Sequence, residues 1–139
     1  MYENQEVRKA AVLRPAEMKT YDRGGGAGTT PLVGASIGAT AFINGITAFE
    51  PGAAIPYHSH NCEESVLVLE GDGVLDIGGE EIALRALDTT WIPPQVSHRF
   101  RNASNTRPLR IFWTYARMDA TRTMTATGAT AFVAQEYQP

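Results

Sequence analysis

The three histidines of this 139-residue chain, together with one glutamate, have residue types that could bind a metal ion. His58 and His60 stand two positions apart, Glu64 follows His60 by four positions, and His98 lies further along the chain. Imidazole nitrogens and a carboxylate oxygen suit Fe, Mn, Ni, Zn, Co or Cu far better than Ca or Mg. The composition of this set therefore predicts one divalent transition metal ion bound by His58, His60, Glu64 and His98.

The spacing of these residues requires a β-strand. Residues two positions apart point to the same face of a strand, whereas residues on one helix face are three or four apart. His58 and His60 can therefore aim at one point, and Glu64 keeps that face if no bulge intervenes. Residues 65–69 form a run rich in valine and leucine that ends at a glycine-containing turn, which also favours a strand.

Two segments resemble the sequence motifs of the cupin superfamily. Residues 52–71 match G-x5-H-x-H-x3,4-E-x6-G at every fixed position, and the distance to Gly71 favours Glu64 over the adjacent Glu63 as the acidic ligand. Residues 87–102 resemble the second motif, G-x5-P-x-G-x2-H-x3-N. The proline, histidine and asparagine of that motif are present, whereas Leu87 and Gln95 stand where the pattern has glycines.

This resemblance implies a fold and a site. The implied fold is all-β, a small antiparallel β-barrel or double-stranded β-helix of the jelly-roll type. The implied metal lies inside the barrel, on His58, His60, Glu64 and His98. The two missing glycines concern the geometry of a turn and leave the ligands in place.

Composition limits the partners that we expect. The net charge is −3 and no basic block stands out, which argues against nucleic acid or an anionic membrane surface. The longest apolar runs are far shorter than a membrane span. The polar N-terminus lacks a signal-peptide core, and the single cysteine, Cys62, cannot form an internal disulfide. We therefore expect a cytoplasmic protein.

The remaining pattern predicts a single domain over residues 1–139, with an N-terminal arm (1–30), a barrel core (about 31–117) and C-terminal strands (118–139). The glycine-rich segment 20–30 is interpreted as a flexible loop. Asn44-Gly45 and Gly78-Gly79 predict two hairpin turns. The predicted strands are 39–42, 46–49, 73–77, 81–84, 89–92, 97–102, 109–117, 121–125 and 131–134.

The first predicted strand, residues 7–13, has no evident partner within the core. Small cupin barrels resembling this chain often pair, and an open sheet edge favours pairing with a second chain. We therefore expect a homodimer.

The parity of the predicted strands suggests an apolar pocket for a small organic ligand beside the metal. In residues 111–115 the sequence leaves open which face points inward, and Arg99 and Arg101 fall on the parity opposite to His98, which favours a solvated face. No catalytic residue can be named. The candidates for lining the pocket are Tyr57, Cys62, Val66, Val68, Phe100, Asn102 and Trp113.

Three functions are compatible with such a site. An open metal coordination position favours a metal-dependent enzyme of small-molecule metabolism, of the dioxygenase or oxidoreductase type. The first alternative is a non-redox cupin isomerase, cyclase or lyase. The second is a non-enzymatic small-molecule sensor or binding protein.

Overall fold

The computed structural model describes residues 9–137, which form two six-stranded antiparallel sheets. Short 3-10 helices occupy Pro15–Glu17, Ala35–Ile37 and Val133–Tyr137. The strands are β1 (Tyr21–Gly24), β2 (Ala27–Pro31), β3 (Ile43–Phe49), β4 (His58–His60), β5 (Glu64–Glu70), β6 (Gly73–Ile77), β7 (Glu80–Leu84), β8 (Thr89–Ile92), β9 (His98–Asn102), β10 (Leu109–Tyr115), β11 (Thr121–Met124) and β12 (Thr130–Phe132).

The strand order places sequence-distant strands side by side. Sheet A has the order β1-β2-β3-β10-β5-β8, and sheet B has the order β12-β11-β4-β9-β6-β7. The all-β prediction is confirmed, and this order is consistent with the jelly roll that the motifs implied. The strand pairings define two sheets rather than one closed ring. Alternate residues of β5, β9 and β10 are buried, so the core lies between the sheets.

The glycine-rich segment predicted to be a loop instead forms the β1–β2 hairpin. Ala27 to Pro31 pairs along β3, which makes this hairpin the edge of sheet A. Gly24, Gly25 and Gly26 all have positive φ, so the residues that suggested flexibility supply the tight turn. The loop prediction was wrong because the glycines were interpreted without the strands that they connect.

The predicted strand at residues 7–13 is not present in the described part of that range. Residues 9–13 are irregular, and residues 7 and 8 lie outside the described residues. The homodimer stays a prediction. No helix within residues 9–137 is long and apolar enough to cross a membrane.

Asn44-Gly45 does not form the predicted turn but lies inside the continuous strand β3. β3 pairs along this stretch with β2 on one side and with β10 on the other. A Cβ atom at Gly45 would come within 2.5 Å of Trp113 Cζ2 and 2.8 Å of the Thr30 carbonyl oxygen. Gly45 is therefore required for packing, because only glycine leaves room for the indole of Trp113. In the sequence alone, the Asn-Gly pair resembles a turn signal.

We expect Gly45→Ala to destabilise the fold by about 1–3 kcal/mol, because the added methyl group must displace a buried ring. Urea denaturation monitored by tryptophan fluorescence measures this change. Gly34→Ala is the matched control, since Gly34 has an extended backbone (φ −169) and nothing lies within 4 Å of its virtual Cβ. Similar losses in the two variants would contradict this interpretation.

The turns around the second motif keep a glycine-like geometry without glycine. Leu87 and Gln95 adopt φ values of 77° and 66° and are the two non-glycine residues of positive φ in the described chain. Their amides donate hydrogen bonds to the carbonyl oxygens of Val68 and His60, both at 2.7 Å. The left-handed backbone that the pattern assigns to glycine is thus retained at a modest strain cost. One of these turns is tied directly to the histidine strand β4.

Candidate metal centre

The four predicted ligands come from both sheets and meet between them. His58 and His60 lie on β4, and His98, on the adjacent strand β9, is the direct partner of His58. Glu64 begins β5 in sheet A and reaches the same space from the opposite side. The side chains of these residues are almost completely buried, since none of the four residues is more than 4% exposed.

The ligand atoms converge. The coordinating nitrogens of the three histidines all lie within 4.8 Å of one another. Glu64 Oε1 lies 3.0 Å from His98 Nε2 and 3.6 Å from His60 Nε2. The structure therefore brings together all four residues that the sequence pattern indicated.

Backbone carbonyls fix the orientation of all three imidazoles. Nδ1 of His58, His60 and His98 lies 2.8 Å from the carbonyl oxygens of Pro56, Thr121 and Val96, respectively. A carbonyl oxygen only accepts hydrogen bonds, so each Nδ1 carries the proton and each Nε2 of a neutral ring keeps its lone pair. This is the tautomer that binds a metal through Nε2.

Two further contacts support a cation at this point. The lone pair of a neutral His98 Nε2 would face the Glu64 carboxylate at 3.0 Å, and two acceptors repel unless a proton or a cation lies between them. His60 Nε2 is buried without a hydrogen-bond partner. A divalent metal ion would satisfy both atoms, and so the donor set fits the ion that the motifs implied.

Electrostatics keep the ligands in their metal-binding forms. Burial lowers the pKa of His58 far below its usual value, and the charge of Arg122 acts in the same direction. Burial lowers the pKa of His60 to about 4, although the nearby Glu64 charge opposes this. Burial raises the pKa of Glu64, but its contact with the His98 imidazole and the charge of Arg122 are among the effects that leave the pKa below its usual value. At neutral pH, His58 and His60 are neutral and Glu64 is ionised.

The adjacent glutamates have opposite environments. Glu64 is 4% exposed and faces the histidines. Glu63 is exposed, and its carboxylate accepts a hydrogen bond of 2.7 Å from the indole of Trp91. The choice of Glu64 over Glu63 that the motif spacing favoured agrees with this arrangement.

Two of the residues predicted to line a pocket have other roles. Tyr57 is 40% exposed and packs against the guanidinium of Arg99, so it belongs to the outer face. Asn102 is buried, but its side-chain NH2 donates to three backbone carbonyls, at Phe49, Glu50 and Arg107. The side chain of Tyr57 therefore faces outward, and that of Asn102 is occupied in joining loops.

The other candidates lie in the interior. Cys62, Val66, Val68 and Phe100 are buried, and burial raises the pKa of the Cys62 thiol, which disfavours the reactive thiolate. The ring of Phe100 lies 6.1 Å from that of His98. That these residues line a ligand pocket stays a prediction. On the outer face, Arg99 and Arg101 bind the carboxylate of Asp76, which agrees with the solvated face expected for them.

The inward face of β10 is now defined and leads from the histidines to a cavity. Tyr115 and Trp113 are buried, and their rings stack with centroids 5.0 Å apart. Tyr115 also lies 4.5 Å from the ring of His60. Trp113 lines a cavity of about 390 Å³, with largely apolar walls that include Ile43, Met118 and Tyr137. Tyr115 and Trp113 therefore lie in a row between His60 and this cavity, whose lining includes none of the four predicted ligands.

One charged residue near the site was missed in the sequence. Arg122 on β11 is the direct partner of His60, yet the sequence suggested an apolar pocket beside the metal. Its side chain is 12% exposed and lies 2.9 Å from a carboxylate oxygen of Glu136. No local motif marks Arg122, because its proximity to His60 arises only when β11 pairs with β4.

Known proteins with this combination of fold and site are cupins. The family model described as "Cupin domain" matches residues 45–115, about half of the chain, and includes all four predicted ligands. The chain belongs to the cupin superfamily.

Matches to individual proteins give more detail than the family model does. The chain is 35% identical over 102 residues to the polyketide synthase CurC of Streptomyces cyaneus, covering 73% of this chain and 66% of CurC. It is 30% identical over 108 residues to the tetracenomycin polyketide synthase protein TcmJ of Streptomyces glaucescens, covering 77% of this chain and 72% of TcmJ. About a third of CurC therefore lies outside the matched region.

A solved structure extends the likeness in fold. The polyketide cyclase RemF of Streptomyces resistomycificus superposes with a TM-score of 0.73 and 19% sequence identity. The superposition covers 90% of this chain and 86% of RemF. At this level of identity the likeness concerns the fold alone.

Proposed function

We propose that this protein is a metal-dependent cyclase acting on a polyketide-type substrate. The observation that carries the proposal is the buried set of three Nε2 atoms and one carboxylate in a chain related to CurC and TcmJ. The name of RemF, a polyketide cyclase of similar fold, points in the same direction. We therefore prefer the non-redox cyclase, which was the first alternative, to the dioxygenase type that the sequence first suggested.

The chemistry of cyclisation suits this site. Ring closure in a poly-β-ketone joins an enolate carbon to a carbonyl carbon, with later loss of water. When bound, the metal would act as a Lewis acid that polarises a carbonyl or stabilises an enolate oxygen. The chain itself supplies a nearly water-free environment, which strengthens electrostatic contacts with such an oxygen.

The shape of the interior supports an aromatic or ring-forming substrate. The cavity beside Trp113 has a volume of about 390 Å³, within the usual range for small-molecule sites. Its walls are mainly apolar, and the stacked rings of Trp113 and Tyr115 extend from it toward His60. We propose that the apolar part of the substrate binds along these rings. A cytoplasmic location is part of the same proposal.

The test separates cyclisation from oxidation. Protein loaded with Zn(II), and separately with Fe(II), is incubated with a linear tri-β-ketone thioester, and the products are analysed by mass spectrometry while dissolved oxygen is recorded. A cyclase accelerates formation of a product that has lost one water without consuming oxygen. Incorporation of oxygen atoms with matching oxygen uptake would instead support the dioxygenase type.

A variant pair serves as the control. Glu64→Gln should abolish the acceleration and Glu63→Gln should retain it, because only Glu64 faces the histidines. Equal activity of the two variants would count against a role for the metal centre. Tight binding of the thioester without turnover in either metal form would favour the binding-protein alternative.

A further inference from the structure

Arg122 points to the same interior space as the metal ligands. In the β11–β4 pairing, Arg122 is opposite His60 and Met124 is opposite His58. Directly opposed residues of antiparallel strands place their side chains on the same face, with Cβ atoms about 4.5–5.5 Å apart. The guanidinium of Arg122 therefore extends from a position adjacent to a metal ligand.

The polar contacts of Arg122 within residues 9–137 satisfy it incompletely. Its Nε lies 2.9 Å from Glu136 Oε2 but makes no well-formed hydrogen bond. Its Nη2 lies 3.4 Å from the Tyr115 hydroxyl, which is a long contact. Arg23 binds the same Glu136 carboxylate through two hydrogen bonds, of 2.8 and 3.0 Å. The Glu136 carboxylate is therefore hydrogen-bonded mainly to Arg23. The five N–H groups of the Arg122 guanidinium are left incompletely satisfied.

The charges around the site favour an anion. Arg23 and Glu136 form an ion pair whose charges cancel, which leaves the positive charge of Arg122 and the negative charge of Glu64. A divalent ion beside neutral histidines then leaves an excess of two positive charges in a poorly hydrated interior. Such an excess is costly unless a ligand compensates it.

We infer that Arg122 is a substrate-binding residue that holds an anionic oxygen of the substrate beside the metal centre. The inference rests on the proposed function and narrows it to substrates with two acidic oxygens, such as a carboxylate and a phenolate or enolate. One oxygen binds at the metal and the other at the guanidinium of Arg122. The Tyr115 hydroxyl, next to Arg122, completes this second position.

Salicylate, which carries a carboxylate and a phenol oxygen, is the probe, and the neutral salicylamide is its control. Binding is measured by isothermal titration calorimetry to metal-free and to Zn(II)-loaded protein. Arg122→Gln should weaken salicylate binding about ten- to a hundredfold, as expected for loss of a charge-assisted hydrogen bond, and should leave salicylamide binding nearly unchanged. Arg122→Lys, which keeps the charge but not the planar fork, should fall between wild type and Arg122→Gln.

Arg23→Gln is the matched control, because Arg23 binds the same carboxylate of Glu136 from sheet A. We expect this variant to bind salicylate within about threefold of wild type, since its structural effect resembles that of Arg122→Gln without removing the inward charge. Equal losses in the two variants would overturn the inference and assign Arg122 to holding the C-terminal segment. Unchanged salicylate affinity in Arg122→Gln would overturn it as well.

Two controls separate this inference from the proposed function. Zinc stoichiometry and unfolding curves establish that each variant is folded and loaded, and Arg122→Lys keeps the test available if Arg122→Gln does not fold. If wild-type protein bound no metal, the proposed function would fail, while a loss of salicylate affinity in metal-free Arg122→Gln would still support anion binding by Arg122. If wild-type protein bound metal and catalysed cyclisation, but Arg122→Gln did not change the preference for salicylate over salicylamide, the inference alone would fail.

Discussion

Replacing Glu64 with glutamine is expected to lower the affinity of the centre for Zn(II) or Co(II) at least about a hundredfold. Changes in the residues that merely support ligands already cost about 10–100-fold, and Glu64 is the one anionic member of the set. Glutamine keeps the size of the side chain but removes the charge that faces His60 and His98 at 3.6 and 3.0 Å. His98→Ala should have an effect of similar size, because it removes a ligand that pairs directly with His58 across the β4–β9 ladder.

Metal content of protein purified without added metal, followed by competition with a chelator of known affinity, measures these losses. Glu63→Gln is the control, since Glu63 is adjacent in sequence but exposed and bound to Trp91. It should retain metal binding at the wild-type level. A Glu64→Gln protein with unchanged affinity would show that the acidic ligand had been assigned to the wrong residue.

The metal-free protein is expected to lose stability as the pH falls from 7 to 5. The pKa of His60 is about 4 in the folded chain and about 6.5 when unfolded. The unfolded state therefore binds more protons in this window, so the stability from His60 is complete above about pH 6.5 and declines toward pH 4. At pH 5 the loss from His60 alone is about 2 kcal/mol. The lowered pKa of His58 adds to it in the same direction.

Urea denaturation of the chelator-treated protein at several pH values tests this expectation. The free energy of unfolding should be nearly constant between pH 8 and 7 and should fall steadily below pH 6.5. The lowered pKa of Glu64 has its effect at more acidic pH, so it does not mask the decline. A free energy of unfolding that stayed constant from pH 7 to 5 would contradict the assignment of neutral, buried imidazoles.

Local patterns were sufficient to predict which four side chains come together between the sheets. His58, His60 and Glu64 could be identified because the alternation of a strand is fixed by the backbone and extends over only a few residues. The Gly78-Gly79 hairpin was predicted for the same reason, and β6 and β7 flank it as expected. His98 is distant in sequence, but it was found because the second motif fixes its position relative to a proline and an asparagine.

Features that depend on distant pairing could not be predicted. Asn44-Gly45 has the composition of a turn, and only the position of Trp113 across the sheet explains why glycine is needed inside β3. The β1–β2 hairpin was interpreted as a loop because its partner β3 begins beyond a long connection. Arg122 belongs with the site through its pairing with His60, which no spacing rule in one sequence records.

The three hydrogen bonds from Nδ1 to backbone carbonyls have a consequence for how a metal ion would be bound at this centre. They hold the imidazoles in place through the folded backbone rather than through an ion. The binding site is therefore formed before an ion binds. A preformed nitrogen-rich site follows the general affinity order in which Cu(II) exceeds Ni(II), Co(II) and Fe(II), and also Zn(II). The supply of free ions during folding and afterwards would then decide which element occupies the proposed centre. Substitution of one metal for another should proceed without unfolding the chain.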